Sequence, residues 1–267
     1  MKKIGYRYPQ GKMKALTMSY DDGAIHDRRL VEIFNAHGIK GTFHLNSGTF
    51  ENSGKIDPCE VATLYIGHEV SCHTYTHPFL ERVPNMEVVR QIITDKETLE
   101  SLCGYVVRGM SYPFGTHDSR SVEILRSMGM KYSRTTASHN GFGLPDDFML
   151  WHPTCHHKGG IMEKLERFKN GKYPLSLFYV WGHSYEFNND NNWELIEEFC
   201  AAAEGMEDTW YATNIEIYDY VTALRSCELS ADCTMLYNPS AVSVWVVAED
   251  NLIECKGGEH TKLFKAE

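Results

Sequence analysis

No apolar run in this chain of 267 residues approaches the roughly 18 residues that a membrane-spanning helix needs, so no such helix is expected. Basic residues are in deficit. Lys and Arg number 26 against 36 Asp and Glu, giving a formal net charge of −10. Nucleic acids and anionic membrane surfaces both select a basic face, so neither is expected as a partner. The eight cysteines show no Cys-x2-Cys spacing, which removes the zinc-ribbon and redox patterns. Several, such as Cys72 and Cys200, lie inside apolar runs and read as buried reduced thiols. The start, Met1-Lys2-Lys3-Ile4-Gly5-Tyr6-Arg7-Tyr8-Pro9, has the charge of a signal peptide without an apolar core behind it. Together these absences set a cytoplasmic location as the expectation. Internal repeats and low-complexity stretches are also missing, which excludes repeat architectures.

What is present is an ordinary globular core composition, 42% apolar with 12% aromatic residues. Strand-like and helix-like segments alternate from residue 14 to about 226. Strands are predicted at Lys14–Tyr20, Thr42–Asn46, Glu69–Cys72, Tyr105–Tyr112, Tyr132–Thr136, Leu175–Trp181 and Trp210–Thr213. Helices are predicted at His26–His37, from Asn85 to near Gly104, and at Ser119–Met128, Ile161–Lys169, Trp193–Ala203 and Ile215–Arg225. Asp57 with Glu60 has the spacing of a capping box, and Ala137–Pro153 reads as a long loop. This βαβα order implies a parallel sheet with right-handed crossovers. The expected fold is α/β, a distorted or incomplete (β/α) barrel of about seven parallel strands over residues 1–228. From 229 to 267 the pattern changes to short strands between turn residues, a small antiparallel β appendage. Its Val242, Val244, Val246 and Trp245 require a partner surface, either the barrel flank or a second subunit, so a homo-oligomer is one expected outcome.

Two short stretches carry the chemistry, Ser19-Tyr20-Asp21-Asp22-Gly23 and His73-Thr74-Tyr75-Thr76-His77. Each follows directly on a predicted strand, and α/β folds build their sites at the C-terminal ends of strands. Together they offer one carboxylate and two imidazoles to a divalent cation and leave a second aspartate free as a base. Three ligands with an open position are what a hydrolytic metal site requires. Neither stretch suffices alone. Asp-Asp-Gly commonly marks a turn, and His-x3-His arises readily by chance in a chain with 13 His. A second such pair, His152-x3-His156, is present.

Collected in order, the strand ends bring Asp21 and Asp22, then His73 and His77, then Pro113-Phe114-Gly115, then Trp181-Gly182-His183. With Gly67-His68-Glu69-Val70 ahead of the second stretch, the chain resembles the polysaccharide deacetylases, the NodB-homology group of carbohydrate esterases, over roughly residues 14 to 215. The resemblance implies a metal-dependent hydrolase that removes an acyl group from an N-acylated carbohydrate. Its metal ligands would be Asp22, His73 and His77, holding Zn2+ or, in its place, Co2+, Ni2+ or Mn2+. Asp21 would be the general base and His183 the acid for the leaving amine. The main-chain N–H of Phe114 would help hold the oxyanion, with Tyr112 beside it. Trp181 and Tyr185 would line the pocket. His152, His156 and His157 would contact substrate or replace a ligand.

One departure stands out. The family usually carries an arginine where Ser111 stands, and that arginine orients the catalytic aspartate. Arg108 and Arg134 are the candidates to take its place. For the partner of His183 the candidates are Asp146, Asp147 and Glu186. Two further readings differ in class. One is hydrolysis of a linear or cyclic amide C–N bond outside sugars. The other is a carbohydrate- or metal-binding module without catalysis, against which the retention of Asp21 and His183 speaks.

Overall fold

The computed structural model describes residues 3–264. Met1 and Lys2 and the last three residues of the appendage lie outside the described residues. A first strand, β1 (Ile4–Arg7), was not anticipated from the sequence. Eight strands then form one sheet: β2 (Lys14–Asp21), β3 (Gly41–Leu45), β4 (Glu69–Cys72), β5 (Gly109–Ser111), β6 (Tyr132–Arg134), β7 (Cys155–His156), β8 (Ser176–Gly182) and β9 (Thr209–Tyr211). Seven of them run in the order β6-β5-β4-β3-β2-β8-β7, all parallel. β9 pairs with β2 over Lys14–Leu16, whereas β3 pairs with it over Met18–Asp21.

The curl is nearly closed. Trp151 N–H donates to Ser133 O at 3.0 Å at one end of the path, and His157 N–H donates to Trp181 O at 2.8 Å at the other. The extended segment 151–157 therefore joins the two ends, as an incomplete barrel should. It was expected to be loop up to Pro153. Two other readings also change. Tyr105–Arg108 lies outside β5, so the fifth strand is shorter than predicted. Asp57 accepts from Cys59 N–H and starts a 3-10 turn, not a capping box.

Alternation along the strands decides what faces the site. In β2, Leu16, Met18 and Tyr20 join the apolar layer under the helices, while Thr17, Ser19 and Asp21 take the opposite face. β3 and β4 repeat the pattern: Phe43, Leu45, Val70 and Cys72 join the same layer, leaving Thr42, His44, Glu69 and Ser71. The inner face is thus polar, whereas barrels are usually filled by branched apolar side chains. Within it, Glu69 accepts from Thr42 Oγ1 at 3.0 Å, Tyr132 OH at 2.7 Å and Ile215 N–H at 2.8 Å. Ile215 belongs to the first turn of the helix Asn214–Ser226, whose N-terminal donors suit a carboxylate.

From Glu228 onward the chain forms antiparallel strands: β10 (Glu228–Leu229), β11 (Met235–Tyr237), β12 (Val244–Ala248), β13 (Asn251–Cys255) and β14 (His260–Lys262). One sheet has the order β10-β11-β14. The other is β1-β12-β13, so the N-terminal strand supplies its edge. Val244, Val246 and Ala248 are buried together with Tyr8, Ala15 and Tyr220. The covering surface for this segment is therefore its own chain. Val242 is exposed and takes no part in the buried alternation. Among the described residues no helix is long and apolar enough to cross a membrane. All eight cysteines are free thiols.

Candidate metal centre

Asp21 is the last residue of β2 and is only 2% exposed. The backbone of Asp22 turns to φ 81, which puts two adjacent carboxylates at one strand end. His73 follows β4 directly. Thr74 and His77 have φ values of 67 and 61, and Phe114 beyond β5 has 58. Left-handed backbone at non-glycine residues is costly, and it gathers where function holds it in place.

These turns bring Asp22, His73 and His77 together. His73 Nε2 lies 3.7 Å and His77 Nε2 3.8 Å from Asp22 Oδ1, and the two imidazole nitrogens are 3.1 Å apart. The outer nitrogen of His73 explains its orientation. Nδ1 is 2.9 Å from Ser111 O and 2.7 Å from Ser111 Oγ. With its hydrogen on Nδ1, His73 turns the lone pair of Nε2 toward His77 and Asp22. Burial, and next the neighbouring His73, push His77 down to about 4, so at neutral pH it is an uncharged donor. Two imidazole lone pairs and a carboxylate converging this closely fit a borderline divalent cation.

Asp21 is set apart from this group by its own partners. Ser111 Oγ donates to its Oδ1 at 3.0 Å. Arg134, fully buried on β6, donates through Nη2 to Oδ2 and lies with its Cζ 4.7 Å from the centroid of the Trp181 ring. Burial alone would raise the Asp21 pKa. The Arg134 charge, then His73 and His44, outweigh it and hold the carboxyl well below the usual carboxylate range. Of the two arginines proposed to replace the one missing at Ser111, Arg134 is the one at the site. Arg108 instead makes a two-pronged pair with Asp219 at 2.9 and 2.6 Å.

His183 follows β8 directly and starts the next helix, with Nε2 3.9 Å from Asp22 Oδ2 and Nδ1 3.5 Å from Glu186 Oε2. Burial disfavours its charged form, but the Glu186 carboxylate and the charges of Asp21 and Asp22 prevail and hold its pKa above the ordinary value. Of the three candidates Glu186 is therefore the carboxylate that lies beside it. It sits on the short helix Ser184–Asn189, which was not anticipated. Asp147 instead pairs with Arg126 and caps a 3-10 turn, and Asp146 is exposed. Gly182 is required just before His183, because a Cβ there would lie 2.0 Å from His157 Nδ1.

The remaining expected residues divide. Trp181 and Tyr185 flank His183, with ring centroids 5.8 and 5.1 Å away. Phe114 has its ring 4.4 Å from that of His77 and stacks on Phe79 at 3.7 Å. Phe79 was not foreseen. Tyr112 is buried and its hydroxyl donates to Met149 O at 2.9 Å, so it does not join the cluster. The second His-x3-His pair does not act as a pair. His152 is exposed with Nδ1 2.6 Å from Thr135 Oγ1, whereas His156 gathers with His157 and Glu186.

Residues 8–133 match the family model described as Polysaccharide deacetylase. The chain is 30% identical over 118 residues to the peptidoglycan-N-acetylglucosamine deacetylase of Bacillus cereus, covering 43% of this chain and 42% of the relative. It is 28% identical over 115 residues to chitin deacetylase 1 of Cryptococcus neoformans var. grubii, covering 42% and 24%. The chain thus spans less than half the length of these curated relatives. Among solved structures, a Mycobacterium smegmatis protein assigned to the polysaccharide deacetylases superposes with a TM-score of 0.61 at 17% identity, covering 82% of this chain and 93% of that one. A CE4-family pseudoenzyme from Bacillus anthracis gives 0.51 at 20% identity, covering 80% and 68%. These superpositions establish a shared fold.

Proposed function

From the match of residues 8–133 to the polysaccharide deacetylase family and the NodB-type motifs, we propose that the chain is a member of that family and hydrolyses the acetamide of an N-acetylated carbohydrate with one divalent cation held by Asp22, His73 and His77. The observation that carries this reading is the separation of two carboxylates at one strand end. Asp22 faces two imidazoles, while Asp21 is kept ionised beside them by Arg134 and Ser111.

When bound, the cation polarises the acyl oxygen and acidifies a water molecule. Asp21 would take a proton from the attacking water, and the Arg134 charge keeps its carboxyl ionised across the neutral range. Arg134 and Ser111 hold the carboxylate in place, one on each oxygen. His183, 3.9 Å from Asp22, gives a proton to the departing amine, which is a very poor leaving group without one. The main-chain N–H of Phe114, on the turn beside His77, is assigned to the oxyanion. Trp181 and Tyr185 form the wall around the acyl group and the sugar.

The relatives named for peptidoglycan N-acetylglucosamine and for chitin support an N-acetylglucosamine-containing substrate. The presence of both Asp21 with its arginine and His183 with its carboxylate supports catalysis over a binding role alone. The test is acetate release from N-acetyl chito-oligosaccharides by zinc-loaded protein, wild type against Asp21→Asn. The variant should keep its zinc and lose about 10²–10⁴ in kcat, the usual worth of a general base. Equal kcat for the two proteins removes Asp21 from the mechanism.

A further inference from the structure

Glu186 is surrounded by more positive and donor groups than one catalytic histidine explains. Its Oε2 lies 2.9 Å from His156 Nε2, 3.2 Å from His157 Nε2 and 3.5 Å from His183 Nδ1. Lys158 Nζ is 3.6 Å from Oε1 and 2.5 Å from Asp190 Oδ2. The two histidines come from the end of β7 and the turn after it. β7 pairs in register with β8, His156 opposite Trp181. Two adjacent strand ends therefore deliver His156 and His183 to the same oxygen of one carboxylate.

The hydrogen-bond pattern decides what this cluster does. Lys158 N–H donates to His156 Nδ1 at 3.1 Å, so Nδ1 is the acceptor and the imidazole hydrogen sits on Nε2, facing Glu186. A nitrogen carrying hydrogen has no lone pair for a cation, which argues against a second metal at His156, His157 and Glu186 although the three lie close enough for one. His157 is fully buried between Tyr20 and Phe187, with ring centroids 5.9 and 4.2 Å away. Its ring is thereby held as a wall behind Glu186. Neither of its nitrogens has a hydrogen-bond partner among the described residues. Trp181 packs edge-on to His156 at 4.6 Å and closes the same side.

We propose that His156 is a positioning residue that donates its Nε2–H to Glu186 and so holds that carboxylate against His183 Nδ1, orienting His183 to protonate the leaving amine. The proposal rests on the assignment of His183 as that acid. His156 touches no reacting atom in this scheme. It acts through Glu186, as outer partners act through ligands at metal sites.

The test compares wild type, His156→Ala and His156→Gln as zinc-loaded full chains on two acetyl donors. One is an N-acetyl chito-oligosaccharide, whose amine needs a proton to leave. The other is an aryl acetate, whose phenolate does not. His156→Ala should lower kcat on the oligosaccharide by about 10- to 100-fold, the scale of an outer-partner loss. Its KM and its kcat on the aryl acetate should stay at wild-type values. His156→Gln, which still offers an N–H, should recover most of the loss. The ring N–H resonance assigned to His183, by its disappearance in His183→Ala, should shift in His156→Ala and return in His156→Gln.

Equal losses on both donors, an unchanged kcat on the oligosaccharide, or a second zinc bound at His156, His157 and Glu186 would each overturn the proposal. If wild type cleaves neither donor, the catalytic assignment fails. The His183 resonance then still decides whether His156 governs the Glu186–His183 pair, and an unmoved resonance refutes it.

Discussion

Replacing Arg134 by Met should damage stability and catalysis together, and by amounts that follow from its burial. Arg134 is 0% and Asp21 2% exposed, so the guanidinium and the carboxylate pair without solvent between them. Removing one partner of a buried pair strands the other charge and costs about 3–5 kcal/mol. For a chain of this size each kcal/mol is worth about 2–4 °C, so Tm should fall by about 6–20 °C. Catalysis should change in a way that simple destabilisation does not produce. With Arg134 gone, burial is left as the dominant influence on Asp21, and its pKa rises. The pH–kcat profile of Arg134→Met should then show its acid limb at higher pH than wild type, with activity falling as pH falls through the new pKa, because a protonated Asp21 accepts no proton. Thermal melts and pH–rate profiles of wild type, Arg134→Met, Asp21→Asn and the double variant form a closed cycle. The double variant should be more stable than the sum of the singles by about 0.5–3 kcal/mol. An Arg134→Met protein with wild-type Tm and an unshifted acid limb would refute the role of this arginine. Arg108→Met, which breaks a pair with both side chains 36% exposed, should cost only about 0–1 kcal/mol.

Glu69 gives a pH prediction with the opposite sign to Asp21. Burial, opposed by the hydrogen bonds from Tyr132, Ile215 and Thr42, pushes it up to about 7, above its unfolded value of 4.5. The folded state therefore binds the extra proton, so its contribution is full below about pH 4.5 and is lost as pH rises through 7, about 3 kcal/mol in all. Urea unfolding of wild type and Glu69→Gln between pH 5 and 8 should show the slope in the first and a weaker one in the second; identical slopes would remove Glu69 as its source. Truncation after Ser226 should expose Tyr8, Ala15 and Tyr220, which pack against the C-terminal strands, and lower Tm without removing a metal ligand. A truncated protein that keeps its fold and zinc but loses all activity would show instead that this segment builds the site.

Much of the candidate site is legible in the sequence because its carboxylates and imidazoles sit on local turns. Asp21-Asp22 and His73/His77 are adjacent or four apart in sequence, and each follows a strand whose buried residues announce it. What escaped was set by pairing across the barrel. Arg134 reaches Asp21 from 113 residues away, and in the sequence it differs from Arg108 only by strand register. Glu186 was one acidic residue among three until the unforeseen turn of helix at Ser184–Asn189 placed it three residues from His183 on one face. β1 was missed because Ile4–Arg7 is too short and too polar to read as a strand alone; it exists because β12 offers it an edge. Tyr112 shows the reverse error. Its place in the third motif suggested the site, but strand alternation turned it into the core, where Met149 takes its hydroxyl.

Zinc titration into chelator-stripped protein, followed by anomalous scattering and acetate release on an N-acetyl chito-oligosaccharide, tests the central claim most directly. One zinc should bind at Asp22, His73 and His77, acetate release should rise with it and level off at one equivalent, and His77→Ala should lose both. Zinc found on His152 or His156 in place of those three residues, or acetate release that does not depend on added metal, would contradict the account.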